Sequence, residues 1–304
     1  MKKTLLITSR SGKAEQVENL RQFIASINTS KTQSFEFCMV QELLFACHDG
    51  TVSITLGGQE LHEIYHAIHL RNQGSYSDFA NALRLYCKEY GTLMVNEMDA
   101  TLPYFGKVSQ GFLYSLNGVP TPPFTSSPSN PTLLDHLKTT TEYPLIIKHN
   151  DGVMGLHNFL VDSAAELQTV LSQPLQGFVA QPFIKNTGEL RVLTFGKEVR
   201  PFIFRKYAGA DSHLNNTSRG GGADQVAVEN IDPLYLEHAL RAAELTNREV
   251  GGVDVLLAED GNHYILEVNS TPAIASGVFA DEKVARYSEY IARKLAATTE
   301  EKEQ

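Results

Sequence analysis

The sequence predicts an α/β (α+β) protein, because strand and helix signals are arranged differently in its two halves. In the first hundred residues, short apolar runs alternate with stretches whose apolar residues recur at helical spacing. Such alternation is typical of a mainly parallel sheet with helices packed on it. In the second half, several apolar runs are separated only by short turns, which favours antiparallel hairpins.

The N-terminal elements follow from these patterns. Leu5–Ile7 is an apolar run that leads into a polar turn, and Phe23 and Ile24 lie on the apolar face of a helical stretch. The predicted strands are Leu5–Thr8, Phe35–Val40, Val52–Leu56 and Leu93–Val95, and the predicted helices are Ala14–Ile27 and Tyr76–Tyr90.

A proline-rich segment separates the two halves. Five of the twelve prolines lie between Val119 and Pro131, which excludes a helix or a central strand there. Beyond it, the predicted strands are Leu145–Lys148, Phe178–Ile184, Leu190–Phe195, Val199–Arg205, Gly252–Ala258 and Tyr264–Val268, and the predicted helices are Ala164–Leu171, Tyr235–Thr246 and Glu282–Ala296.

Length and charge limit the possible functions. At about 150 residues per domain, the chain of 304 residues predicts two or more folding units. The 35 acidic residues outnumber the 26 basic ones, which argues against a nucleic acid partner and against docking on an anionic membrane. No apolar run reaches the roughly 18 residues that a membrane span needs. The three cysteines lack paired spacing, so we expect a reducing, cytoplasmic protein.

An acidic hairpin carries the strongest chemical signal. Asp260–Gly261 is a good two-residue turn between apolar strands, and pairing across it places Asp254 opposite Glu267. Asn269, two residues further along, points to the same face as Glu267. Two opposed carboxylates repel each other unless a cation lies between them. An Asp, Glu and Asn set suits Mg²⁺, and the alternative is a solvated edge.

Lysine and arginine side chains at strand ends and in one long loop add to this signal. Lys148 ends a strand and precedes a loop with two glycines, and Arg205 ends another strand. Tyr207–Gly222 is a long loop rich in Gly, Ser and Asn, and it contains Arg219. Lysines and arginines at such positions can bind phosphate or carboxylate groups, although a lysine whose charge simply reaches solvent is the alternative for Lys148.

The order of these motifs resembles the ATP-grasp superfamily, and within it the amino-acid ligases that attach glutamate to ribosomal protein termini or build lysine on a carrier protein. The resemblance runs from about Asn96 to Leu295. It implies an N-terminal α/β domain (residues 1–100), a central lobe (101–184) and a C-terminal lobe with the metal site (185–304), the two lobes enclosing the nucleotide.

The resemblance also implies roles for individual residues. Those matching nucleotide-binding positions are Lys107, Lys148, Gln181, Pro182, Phe183, Ile184, Glu189 and Asn216. Arg205 and Arg219 match positions at the phosphates and the reacting carboxylate. Asp254, Glu267 and Asn269 match the metal ligands, in agreement with the hairpin argument.

We therefore expect an ATP- and Mg²⁺-dependent carboxylate–amine ligase that acts on an amino acid or peptide through an acyl-phosphate. Mn²⁺ could replace Mg²⁺, and the resemblance allows a homo-oligomer. Pro182 stands where the family usually has an acidic residue, and the phosphate-covering loop has Val153-Met154 at its tip. These departures motivate an alternative, a nucleotide-binding regulatory module without ligase activity.

A second alternative is a zinc peptidase. His62-Glu63-Ile64-Tyr65-His66 fits the HExxH pattern, and His69 adds a third imidazole. On a helix the three histidines would share a face. The apolar residues around them alternate as in a strand, however, which would separate them.

Overall fold

A computed structural model describes residues 2–9, 14–28, 33–72, 76–96, 106–140, 142–150, 152, 156–197, 199–208 and 222–303. Their N-terminal part contains β1 (Lys2–Thr8), α1 (Ala14–Ile27), β2 (Gln33–Met39), β3 (Leu43–His48), β4 (Thr51–Leu56), β5 (Gln59–Glu60), α2 (Leu61–Ile64), β6 (Ala67–Asn72), α3 (Ser77–Tyr90) and β7 (Leu93–Val95).

These N-terminal strands form two sheets. A parallel sheet has the order β2-β1-β6-β7, which confirms the predicted parallel α/β unit. The strand predicted at Val52–Leu56 is present as β4, but it belongs to a separate antiparallel sheet of order β3-β4-β5. Sequence periodicity identifies strands without specifying their partners, so this second sheet could not be distinguished in advance.

The central part contains α4 (Lys107–Leu116), β8 (Thr125–Ser126), α5 (Asn130–Thr140), β9 (Leu145–His149), β10 (Asn158–Val161), α6 (Ala164–Leu171) and β11 (Phe178–Pro182). The strands form an antiparallel sheet of order β10-β9-β11-β8. Ile147 and Phe178 are buried in a core with residues of α5 and α6. Because side chains alternate along a strand, Lys148 and Gln181 face away from these helices.

The C-terminal part contains β12 (Asn186–Phe195), β13 (Val199–Lys206), β14 (Ala223–Val226), α7 (Pro233–Leu245), β15 (Val250–Ala258), β16 (His263–Asn269) and α8 (Ala280–Glu303). The five strands form an antiparallel sheet of order β14-β13-β12-β15-β16, as the predicted hairpins require. Leu190, Ile203 and Val253 lie in the core shared with α7. The alternate residues of these strands therefore face away from α7.

One core joins the N-terminal sheet to the C-terminal sheet. Tyr287 of α8 is fully buried, and its ring centroid lies 5.7 Å from that of Phe23 and 6.1 Å from that of Phe35. Leu193 and Phe195 of β12 belong to the same core. The central sheet has a separate core between itself and α5 and α6. The N-terminal segment (1–100) thus has two sheets, and the central (101–184) and C-terminal (185–304) segments have one each. The boundaries between the segments stay a prediction.

The longest helix described is α8, with 24 residues, and its sequence is rich in charged side chains. Among the helices of the described ranges, none is long and apolar enough to span a lipid bilayer.

Candidate active site

A charged cluster covers part of the C-terminal sheet on the face opposite α7. Cross-strand pairing brings Glu189 beside Lys206, Arg191 beside Asp254, and Asp254 beside Glu267. Glu189 and Arg191 are two residues apart on β12, so both point to this face. The strand register therefore assembles the cluster from four adjacent strands.

Asp254 is the centre of the cluster and is only 5% exposed. Its Oδ1 accepts hydrogen bonds from Arg191 Nε and Lys206 Nζ, each at 2.7 Å. Its Oδ2 accepts from Arg191 Nη2 at 2.8 Å and from Asn269 Nδ2 at 3.1 Å. A carboxylate offers about four acceptor positions, and these four donors occupy them, so a cation that binds Asp254 would displace one of the donors.

These contacts decide the ionisation of the cluster. Burial alone would raise the pKa of Asp254, but the positive charges of Arg191 and Lys206 outweigh burial and lower that pKa. Burial and the nearby charge of Asp254 raise the pKa of Glu189, whose Oε2 lies 2.8 Å from Lys206 Nζ. Burial would lower the pKa of Lys206, yet its two carboxylate partners raise it. Lys206 therefore keeps its charge between two acids.

Lysines from the central part of the chain approach the same cluster. Lys107 begins α4, and its Nζ lies 3.4 Å from Glu267 Oε2 and donates to Gly152 O at 2.7 Å. Burial and the charge of Lys107 lower the pKa of Lys148 to about 8, although Glu267 opposes the shift. Two lysines and two opposed carboxylates thus lie within electrostatic range of one another.

The predicted pairing of Asp254 with Glu267 is confirmed, although the hairpin reaches it by another route. The turn has three residues, Glu259–Gly261, since Ala258 N donates to Asn262 O at 2.9 Å, and Gly261 has a φ of +87°. Val255 then pairs with Ile265, and Asp254 pairs with Glu267, which leaves Leu266 as a bulge. The bulge compensates for the one-residue difference in the turn.

The donor set of the hairpin fits a hard divalent cation. Asp254 and Glu267 supply opposed carboxylates, and Asn269 lies beside them. Mg²⁺ is usually held by one or two carboxylates together with water and substrate phosphates. In the described ranges there is no group of three or more His, Cys, Asp and Glu side chains suited to a metal. Water or a bound phosphate can supply the remaining oxygen ligands of such a cation.

The segment predicted to meet adenine lies between the central and C-terminal sheets. Gln181 is 8% exposed, whereas Pro182 ends β11 and is exposed. The predicted strand Phe178–Ile184 thus ends two residues early. Phe183 N donates to Pro144 O at 3.0 Å, and Ile184 O accepts from Asn186 Nδ2 at 3.0 Å. This connection is fixed to both sheets.

Arg205 does not reach the charged cluster. It pairs with Leu190, whose side chain faces α7, and its Nη2 donates to Thr187 O at 2.7 Å. Its guanidinium carbon lies 5.3 Å from the ring centroid of Tyr207. The next residue, Lys206, points to the cluster instead, because neighbouring residues of a strand face opposite sides. The structure therefore brings Lys206, and not Arg205, into the charged cluster.

Two further predicted residues, Asn216 and Arg219, lie outside the described residues, as do Val153 and Met154.

Three residues of the site were not predicted from the sequence. Arg191 and Lys206 could have been found from strand alternation, since each is in phase with Glu189 or Asp254. Gln110 bonds to the backbone of Val268 from 158 residues away, and no local pattern signals such a contact.

The histidines of the HExxH pattern do not converge. His62 lies on α2, stacks on Tyr90 and contacts Tyr86 Oη through Nδ1 at 2.6 Å. His69 lies on β6 and contacts Tyr287 Oη through Nδ1 at 2.7 Å. His66 lies between these elements, and its Nδ1 accepts from Lys3 N at 3.3 Å. Separate partners hold the three rings, so the zinc peptidase alternative has no support.

Comparison with known proteins gives the family. The RimK-like ATP-grasp domain matches residues 113–287, more than half of the chain. A probable alpha-L-glutamate ligase of Psychromonas ingrahamii is 29% identical over 225 residues, covering 71% of this chain and 72% of that protein.

Solved structures show the same fold. D-alanyl-alanine synthetase A from Vibrio cholerae has a TM-score of 0.70 at 15% identity and covers 98% of both chains. The ATP-grasp ligase PsnB, in complex with a phosphomimetic variant of its minimal precursor, Mg and ADP, has a TM-score of 0.68 at 15% identity, covering 97% of this chain and 98% of that chain. A regulatory module without ligase activity has no support among these similarities. With its family match and its charged cluster, this chain belongs to the RimK-like ATP-grasp family of ligases.

Proposed function

We propose that this protein joins a carboxylate to an amine, with ATP as the energy source, and that the charged cluster is where the phosphoryl group is transferred. The γ-phosphoryl group of ATP passes to an oxygen of the substrate carboxylate, and ADP leaves. The amine nitrogen then attacks the acyl carbon, the carbon–oxygen bond to phosphate breaks, and the nitrogen loses a proton as the amide forms. The opposed pair Asp254 and Glu267 beside Lys107 is the observation that supports this proposal.

The residues act mainly by placing charge. Lys107 and Lys148 offset the negative charge of the phosphates. Asp254, Glu267 and Asn269 would hold Mg²⁺, which supplies further charge neutralisation when bound. We assign the adenine to Gln181, Pro182, Phe183 and Ile184, and the ribose to Glu189. Asn216 is assigned to the nucleotide, and Arg219 to the reacting carboxylate.

Arg191 and Lys206 hold Asp254 in place, and Lys206 replaces Arg205 in the proposed machinery. Because Asp254 is buried with both cations, its carboxylate stays ionised and keeps one orientation. A fixed carboxylate is what a metal ligand requires.

We propose an amino acid as one substrate and a peptide as the other. The name of the Psychromonas relative refers to L-glutamate, and PsnB was solved with a precursor. These names support glutamate as the first amino acid to test. Mn²⁺ in place of Mg²⁺, and a homo-oligomeric assembly, stay predictions that a metal-exchange assay and light scattering can check.

The test is ADP release with panels of amino acids and peptides, with the products identified by mass spectrometry. Glu267→Ala should abolish ADP release, because it removes one of the two opposed carboxylates, while the circular dichroism spectrum stays that of the wild type. Glu244→Ala is the matched control, since Glu244 is a surface carboxylate on α7 that pairs with Lys197 and Arg241. Full activity in Glu267→Ala would disprove the metal assignment.

A further inference from the structure

The strand that carries Glu267 and Asn269 lies at the edge of its sheet. In the order β14-β13-β12-β15-β16, only one side of β16 pairs with another strand of that sheet. Its outer side instead meets the segment before the central sheet. Ile265 N donates to Pro120 O at 2.7 Å, and Val268 N donates to Gln110 Oε1 at 2.7 Å. The edge is thus held at two backbone positions.

Gln110 binds both backbone groups of Val268. The side chain is 6% exposed, and its Nε2 donates to Val268 O at 3.4 Å. Tyr114, one turn later on α4, donates its hydroxyl to Gln110 Oε1 at 2.7 Å. A backbone N–H can only donate, so the amide oxygen must face Val268 N. Burial raises the pKa of Tyr114 and keeps its hydroxyl a donor.

This contact lies next to the bulge. Val255 pairs with Ile265 and Asp254 pairs with Glu267, so Leu266 has no partner. Without the bulge, Asp254 would face Leu266, and Glu267 would pair with Val253. Because a shift of one residue turns every side chain to the other face, Glu267 would then point away from Asp254.

The two outer contacts match only the bulged register. In a regular antiparallel strand, outward N–H groups recur every second residue. Ile265 and Val268 are three residues apart, which requires one extra residue between them. Loss of the hydrogen bond from Val268 N to Gln110 would therefore leave the strand without its outer contact beyond the bulge.

The same helix also contacts the side chain of Glu267. Lys107 and Gln110 are three residues apart on α4 and so lie on one face. Lys107 Nζ lies 3.4 Å from Glu267 Oε2, while Gln110 binds the next residue of the strand. Helix α4 therefore contacts both the carboxylate and the backbone beside it.

We propose that Gln110 is a positioning residue that locks the bulge in β16 and thereby keeps Glu267 opposite Asp254. Its effect on register depends only on the fold. Its effect on metal binding rests on the proposed function.

The first experiment measures how firmly Gln110 holds the backbone of β16 beyond the bulge, without nucleotide or metal. In Gln110→Met, amide hydrogen exchange at Val268 should become about five to ten times faster, the change expected for one lost hydrogen bond. Exchange at Val253 and Val255, which lie in the core with α7, should stay that of the wild type. Unchanged exchange at Val268 would overturn the proposal.

The second experiment measures Mg²⁺-dependent ADP binding by calorimetry. In Gln110→Met, the Mg²⁺ concentration that gives half of the Mg²⁺-dependent increase in ADP affinity should rise about 10–100-fold. This is the usual effect of losing a residue that hydrogen-bonds to and orients a metal ligand. ADP binding without metal should not change. An unchanged Mg²⁺ requirement would overturn the metal role of Gln110. If wild-type ADP binding does not depend on Mg²⁺, the proposed function fails, and the exchange experiment still decides whether Gln110 holds the backbone of β16.

Asn96→Gly is the matched control. Asn96 binds the backbone of Val250 in the same way, with Nδ2 donating to Val250 O at 3.1 Å and Oδ1 accepting from Val250 N at 2.8 Å. Glycine suits its φ of +58°. This variant should lower stability without changing the Mg²⁺ requirement. If the Mg²⁺ requirement rose equally in Gln110→Met and Asn96→Gly, the effect would come from a general loss of stability and not from Gln110.

A conservative variant keeps the test valid if Gln110→Met does not fold. Gln110→Glu retains an acceptor for Val268 N, the hydrogen bond that holds the backbone beyond the bulge. It should therefore keep slow exchange at Val268 and a wild-type Mg²⁺ requirement. Fast exchange at Val268 in a folded Gln110→Glu protein would contradict the proposal.

Discussion

Lys206 and Arg205 are neighbours in sequence, yet the strand sends their side chains to opposite faces. Lys206 Nζ lies 2.7 Å from Asp254 Oδ1 and 2.8 Å from Glu189 Oε2, and all three groups are shielded from water. Arg205 instead donates to the backbone of Thr187 near the surface. Removing Lys206 would leave two acids with too little compensating charge.

Lys206→Met should therefore destabilise the protein by about 3–5 kcal/mol, the usual cost of removing one partner from a buried ion pair. Arg205→Met should cost about 1 kcal/mol or less, since it removes only a surface contact. Urea unfolding measures both changes. ADP release should be lost only in Lys206→Met. Equal effects of the two substitutions would mean that strand alternation does not set their roles.

Lys148 gives the site a pH dependence. Burial lowers its pKa to about 8, so the ammonium is charged below that pH and neutral above it. In the role proposed for Lys148, phosphate binding needs the charge, so ADP affinity should fall as pH rises through about 8. Lys148→Arg should flatten the profile, because arginine stays protonated. Calorimetry on both sides of pH 8 checks this, and an identical profile in both proteins would exclude Lys148 as the titrating group.

At the scale of elements, the hairpin shows what sequence can predict. Apolar alternation and Asp260-Gly261 predicted two strands and placed Asp254 opposite Glu267, and that pairing is present. The turn has three residues rather than two, and the bulge at Leu266 restores the pairing. Turn length and bulges depend on contacts from outside the hairpin, such as Gln110, and these are not encoded in the local pattern.

The remaining differences between prediction and structure also arise from contacts that lie outside the local sequence. The parallel N-terminal sheet and the antiparallel C-terminal sheet follow from local periodicity, and most predicted elements are present. Arg205 was chosen by motif order, whereas the face of a strand is set by register, which favours Lys206. The separate sheet around β4 was missed because its partner strand could be identified only from the fold.

At the scale of the whole molecule, the shared core couples the two ends of the chain. Ile291 of α8 is fully buried in the core that contains Leu6 of β1 and Phe195 of β12. Leu167 of α6 is equally buried, but in the separate core of the central sheet. The N-terminal and C-terminal sheets should therefore open together, and the central sheet should open independently.

Ile291→Ala should cost about 2–5 kcal/mol and increase amide exchange in both β1 and β12. Leu167→Ala removes a side chain of similar size and should increase exchange mainly in β9 and β11. Hydrogen exchange followed by mass spectrometry distinguishes the two patterns. Faster exchange throughout the chain in both variants would show that the N-terminal, central and C-terminal parts unfold as one cooperative unit.

The saturation of Asp254 by its own neighbours has a consequence for the biogenesis of the protein. Arg191, Lys206 and Asn269 satisfy the carboxylate from within the chain. A newly synthesised polypeptide can therefore mature without first acquiring a divalent ion. Chelation should leave the apoprotein intact, and the supply of magnesium would govern catalytic turnover rather than the lifetime of the protein.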